Sequence, residues 1–198
     1  MTKGRLEAFT DGVIAILITI MVLELHVPEG PHLSDLRPQV PTLLSYLLSF
    51  VFLAIYWNNH HHLMQVVERV DGAVLWANMH LLFWLSLIPW VTVWMGHNAR
   101  QHAPVAVYGV VLLASGVAYL VLTRALLRLH APDSRLALAL GADWKGKLSA
   151  LAYVVAVALA AVSTWVAFAV YVAVAIVWLV PDPRMSRVVA GVPAGPAD

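Results

Sequence analysis

The chain has 198 residues, 61% of them apolar and only 12% charged, with a formal net charge of +1. Ordinary soluble domains carry about 25% charged residues, and several apolar runs here approach the roughly 20 residues that cross a bilayer, so the chain reads as an all-α polytopic membrane protein. The near-neutral balance excludes a broad basic surface for nucleic acid, and the absence of cysteine excludes disulfides, thiolate zinc sites and thiol nucleophiles.

The first apolar segment, about 5–25, reads "RLEAFTDGVIAILITIMVLEL". It is too long for a secretory h-region and has no small-residue cleavage site, so it is expected to stay as a spanning helix. The Pro/Gly-rich "HVPEGPHLSDLRPQVP" follows as a loop. A second segment runs over about 42–64 and a third over about 72–95, where Pro89 is expected to bend the helix. After "GHNARQHAP" comes a fourth segment, about 105–129, and then the polar stretch "HAPDSRLALALGADWKGK".

Residues 148–180 form one apolar run of 33, too long for a single span of ordinary tilt. "VSTW" at 162–165 is its most turn-like point and predicts two helices, about 147–162 and 164–180. Residues 1–180 thus read as one six-helix transmembrane domain, and 181–198 as a short cytoplasmic tail. Six spans place Lys3, Arg5, Arg69, Arg124, Arg128, Arg135, Lys145, Lys147, Arg184 and Arg187 on one side, against Arg37 and Arg100 on the other. That bias predicts that both termini are cytoplasmic.

Within the first segment, Gly12, Ile16, Thr19, Ile20 and Leu23 recur at spacings of three and four and share one helix face. Periodicity alone fits an apolar packing stripe as well as a pore wall. Arg5, Glu7 and Asp11 are unusual so early in a membrane helix, because ionisable groups in lipid face protein, water or a function. Arg5 can snorkel to headgroups. The short Asp11 side chain, two turns in, cannot do so easily. Glu7 and Glu24 read as interfacial, with Glu24 placed to attract cations at the outer mouth.

"HHH" at 60–62 raises a metal site, but adjacent helical histidines point about 100° apart and cannot all meet one ion. Helical ligand pairs sit at i and i+4, and that partner of His60 is Met64. No metal site is predicted, no catalytic group stands out, and an enzyme is not expected.

"RLEAFTDG" resembles the R-x-x-x-F-S-D signature that opens the first helix of the transmembrane protein 175 family of lysosomal and bacterial potassium channels. Arg5, Phe9 and Asp11 match, and Thr10 stands where serine is usual. In "AIYWNNHHHLMQVV", Trp57 and His60 fall on the family's W-x-x-H, followed by Leu63 and Gln65; Asn78 and Pro89 also fit. The resemblance implies a homotetrameric potassium channel in the cell membrane, lacking the T-V-G-Y-G loop and narrowed instead by apolar side chains of the first helix. Carried over by offset from Asp11, Ile16 is the main constriction, Thr19 a hydroxyl layer, and Ile20 and Leu23 further lining. Whether Thr19 or Ile20 faces the axis stays open at this stage. The motif also implies that Arg5, Phe9, Thr10, Asp11, Trp57 and His60 support the pore helix. Potassium ions are the permeant species, no cofactor is implied, and proton permeation is compatible. The alternative is a proton-coupled transporter with Asp11, His60 and His80 as a relay, although no inverted repeat or pair of broken helices is evident.

Overall fold

A computed structural model describes residues 2–141 and 144–180. Among them the regular elements are all helices: α1 (Lys3–Leu23), a 3-10 helix (Leu33–Gln39), α2 (Val40–Val66), α3 (Gly72–Ser86), α4 (Ile88–His97), α5 (His102–Leu127), α6 (Arg135–Leu140), α7 (Trp144–Ala160) and α8 (Thr164–Leu179). Four stretches are long and apolar enough to cross a membrane: Lys3–Leu23, Leu33–Val66, Gly72–His97 and His102–Leu127. The long run after residue 147 divides where its sequence turns polar. α7 stops at Ala160, and the Ser163 hydroxyl caps α8 by accepting from the Val166 amide.

At the expected bend before Pro89 the helix is interrupted at Leu87, between α3 and α4, within one apolar stretch, Gly72–His97. Proline cannot donate to the carbonyl four residues back and its ring collides with it. The Leu87 amide therefore bonds Trp84 at 3.2 Å in a tighter turn, and the ladder resumes from Val91 to Leu87 at 3.1 Å. Pro89 then occupies the first turn of α4, where its missing donor costs nothing. Two short helices fall in segments read as loop. The 3-10 helix carries an internal Pro38, and α6 has only six residues, opened by Ser134 accepting from Ala137 and closed by Gly141 at φ 50°. Neither is long enough to leave a periodic signal. The predicted tail, 181–198, lies outside the described residues.

α5 lies against α3, α4, α7 and α8. Close approach needs small residues or internally paired polar ones when lipid gives no hydrophobic drive between helices. Both devices are present. At Gly109 a Cβ would run into the Tyr171 hydroxyl and the Val157 side chain, so the glycine lets α8 and α7 close on α5. Tyr171 then donates to the Val105 carbonyl at 3.0 Å. Across α2, α4 and α5, the hydroxyls of Thr92 and Tyr108 lie 2.7 and 2.9 Å from Ser49 Oγ, all buried.

The end of the bundle that holds the N-terminus is tied by backbone capping. Lys3 Nζ donates to the Val67 carbonyl at 2.8 Å, joining the start of α1 to the end of α2. Arg69 bonds the Leu129 carbonyl through Nε and Nη2 at 2.9 and 2.6 Å. His130 Nδ1 donates to Leu126 O at 2.8 Å, which leaves Nε2 free to accept from the Glu68 amide at 3.1 Å.

Candidate functional site

α1 has two unlike faces. Leu6, Thr10, Ile14, Leu17 and Met21, spaced four, four, three and four apart, are buried against the rest of the chain. The opposite side carries Phe9, Gly12, Ile16, Thr19, Ile20 and Leu23, all exposed, with Ile16 at 56% and Leu23 at 79%. Only 28% of the apolar window of α1 is buried within the chain, against 50% for the α3–α4 span and 44% for α5. The covered face fixes the rotation of the helix; the other face is left to whatever surrounds the protomer.

The rotation is set by polar bonds as well as by packing. Asn78 on α3 donates from Nδ2 to Thr10 Oγ1 at 2.8 Å, and its Oδ1 lies 3.0 Å from Nε2 of His60 on α2. Thr10, His60 and Asn78 are each fully buried. Because Oδ1 accepts, His60 carries its proton on Nε2, and Nδ1 is a buried atom without a partner. Three helices are thus pinned at one point.

A second, more open group lies beside it. Trp57 Nε1 donates to Asp11 Oδ1 at 3.1 Å. The Trp57 ring stacks on His61 at a centroid distance of 5.9 Å and 13° between planes. His61 Nδ1 is 3.2 Å from Glu7 Oε1, and its Nε2 is 2.9 Å from Gln65 Nε2. Among the sequence-derived residues, then, Thr10 and His60 meet through Asn78, and Asp11 meets Trp57. Arg5 and Phe9 are exposed, and no hydrogen bond joins either to these groups among the described residues. Asn78 as the bridge, and the pairing of Glu7 with His61, were missed. The polar identity of a residue inside an apolar helix is visible in sequence, but its partner across 68 positions is not.

No group of three or more histidine, cysteine or acidic side chains able to hold a metal is found among the described residues; His60 turns to Asn78, while His61 and His62 both lie against Gln65. Thr19 donates its hydroxyl back to the carbonyls of Ala15 and Ile16 at 3.1 and 3.0 Å. At the other end of α1, Glu24 borders an open groove of about 610 Å3 shared with Trp90, Trp94 and His97 of α4.

Fold and site together define a multi-pass helical membrane protein whose first helix is locked in rotation and uncovered along an apolar stripe. Residues 5–89 match the family model of the endosomal/lysosomal potassium channel TMEM175. A potassium channel of Chryseobacterium sp. (strain P1-3) is 48% identical over 187 residues, covering 94% of this chain and 97% of the relative. The crystal structure of a lysosomal potassium-selective channel TMEM175 homolog from Chamaesiphon minutus superposes with a TM-score of 0.76 at 31% identity, covering 89% of this chain and 96% of that one. The zebrafish endosomal/lysosomal proton channel TMEM175 is 26% identical over 134 residues, 65% of this chain but a quarter of its own length. The chain belongs to the TMEM175 family of membrane channels, as a multi-pass protein of the cell membrane.

Proposed function

We propose that four copies of this chain surround an axis and form a modestly selective potassium channel, with α1 of each copy lining the path and both termini cytoplasmic. The uncovered stripe of α1 carries this reading. It is the least covered of the four long apolar stretches, it is anchored from behind by Thr10 and Asp11, and its open face holds one hydroxyl among apolar side chains. A single protomer offers one such wall; closed rotational symmetry around an axis turns four of them into a conduit.

Ile16 forms the main constriction, with Ile20 and Leu23 as further apolar lining. A ring of four isoleucines excludes water when tight and passes ions when slightly wider. Thr19 supplies the hydroxyl layer. Its proton is committed to the helix backbone, so its oxygen presents lone pairs outward, the polarity a cation needs. Selectivity built on such a layer is weaker than that of a carbonyl-lined filter, and protons share the path. Relatives named as potassium channels and as proton channels support this reading.

The test is potassium flux in proteoliposomes under bi-ionic conditions, paired with mass measurement of the assembly. Passive, fast, potassium-preferring flux from a tetramer is the expected result. Saturable exchange coupled to protons would instead establish the transporter alternative.

A further inference from the structure

α2, α5, α7 and α8 enclose a cavity of about 290 Å3 away from the α1 face. It is larger than apolar cavities of about 150 Å3 that already take up benzene. Its walls are aromatic: Tyr56 meets Tyr119 edge-on with centroids 6.2 Å apart, and Phe52 meets Tyr153 in the same way at 6.3 Å. Trp178 closes the far side, its indole N–H satisfied by Ser149 Oγ at 2.8 Å, so that its ring is free to face the space. The lining is predominantly hydrocarbon, which disfavours filling by water, since a buried water needs two to four polar partners.

Tyr56, Asn59, Tyr119, Lys147, Ser149 and Tyr153 bring polar groups to this lining, and two of them bear on a ligand. The Tyr56 hydroxyl lies 3.8 Å from where a Cβ on Gly116 would sit and makes no hydrogen bond among the described residues. Lys147, exposed at the start of α7, lines the rim, and its ammonium forms no ion pair or hydrogen bond among the described residues. Its neighbour Lys145 is spent on the Val180 carbonyl at 3.1 Å. An apolar chamber with one uncommitted cation at its edge complements one kind of molecule: an acyl chain attached to an anionic head.

We infer that this cavity holds one acyl chain of an anionic phospholipid, with the phosphate on Lys147 and the Tyr56 hydroxyl donating to the ester region. The positively charged rim falls on the side rich in Lys and Arg, where anionic headgroups gather and each basic residue adds to the attraction. The inference rests on the membrane layout given above and not on the pore, so its readout is lipid binding and not ion flux.

The experiment adds phosphatidylglycerol or phosphatidylcholine to the delipidated full-length protein and counts bound lipids by native mass spectrometry, for wild type, Lys147→Gln and Gly116→Leu. A photoactivatable phosphatidylglycerol with its reactive group in the acyl chain is cross-linked to wild type in parallel. Expected are about tenfold tighter binding of phosphatidylglycerol, loss of that preference in Lys147→Gln, loss of one lipid per chain in Gly116→Leu, and cross-links to peptides containing Phe52 and Tyr153. Equal affinity for both lipids in wild type would overturn the anionic assignment. An unchanged lipid count in Gly116→Leu with an intact oligomer mass would overturn the site. Should Gly116→Leu fail to fold, the wild-type cross-links decide: labelling confined to the outer surfaces of α3 and α4 would refute the inference.

Discussion

The Asn78 amide reaches Thr10 across 68 residues of sequence, 2.8 Å from Nδ2 to Oγ1, in a place where neither group sees solvent. The bond matters because Thr10 Oγ1 accepts from the Asn78 Nδ2 donor in a buried place, while Oδ1 is engaged with His60. Removing the acceptor leaves a buried amide proton unpaired, at a cost of about 1–3 kcal/mol. Thr10→Val is therefore expected to lower the unfolding midpoint in detergent, while Thr10→Ser, which keeps the hydroxyl and loses one methyl, loses about 0.8 kcal/mol or less. Equal melting of the two variants would mean that the hydroxyl contributes nothing.

Asp11 and Trp57 tie α1 to α2 from a less buried position. Removing the indole donor leaves the Asp11 carboxyl without its hydrogen bond, whereas removing the carboxyl leaves only the indole N–H unpaired, so the two truncations should differ. Asp11→Ala is expected to reduce the yield of assembled protein more than it changes ion preference. Trp57→Phe keeps the stack on His61 but strands the carboxylate, and should be at least as damaging. Size-exclusion chromatography and bi-ionic reversal potentials measure both; intact assembly with altered selectivity in Asp11→Ala would place the carboxylate in the ion path.

Helix identity was legible because hydrophobic run length is a local property. The division of the last run at "VSTW" could be read for the same reason: Ser163 is a local cap. The interruption before Pro89 was legible as a bend because the ring acts on its own helix. What escaped was short or non-local. α6 offers too few residues for a period, and the Asn78 bridge depends on which turn of α3 faces α1. The open face of α1 was legible as a stripe, yet only the structure shows Ile16 on the uncovered side and Ile14 on the covered one. Two residues along a helix are 200° apart, so sequence gives their separation and packing gives their direction.

Gly109 tests the packing of α5. A methyl group there meets Tyr171, whose hydroxyl is fixed on the Val105 carbonyl. Neither can retreat without losing that bond. Gly109→Ala is expected to destabilise by about 1–3 kcal/mol, as overpacking does. Gly116→Ala, two helical turns further along α5, meets only the Tyr56 hydroxyl at ordinary contact distance and should be neutral or mildly stabilising, since alanine favours a helix over glycine by roughly 1 kcal/mol. Thermal unfolding of the two single variants side by side gives the answer.

Ile16 offers the sharpest test of the proposed path, because it makes little contact with its own chain. It is 56% exposed in the protomer, so a polar replacement removes almost no internal packing, and the fold should tolerate it. If four copies of Ile16 pinch the conduit, Ile16→Asn replaces a dewetting ring by four amides that hold water. Potassium leak should then rise several-fold, with weaker discrimination against sodium. Thr19→Val is the complementary change: it removes the outward oxygen at nearly constant volume and should lower potassium preference without opening the leak. Flux through proteoliposomes reads both variants against the unchanged unfolding midpoint. A face turned to lipid predicts a different pair of outcomes, with Ile16→Asn harming insertion or stability and neither variant altering conduction, and that result would remove α1 from the pore.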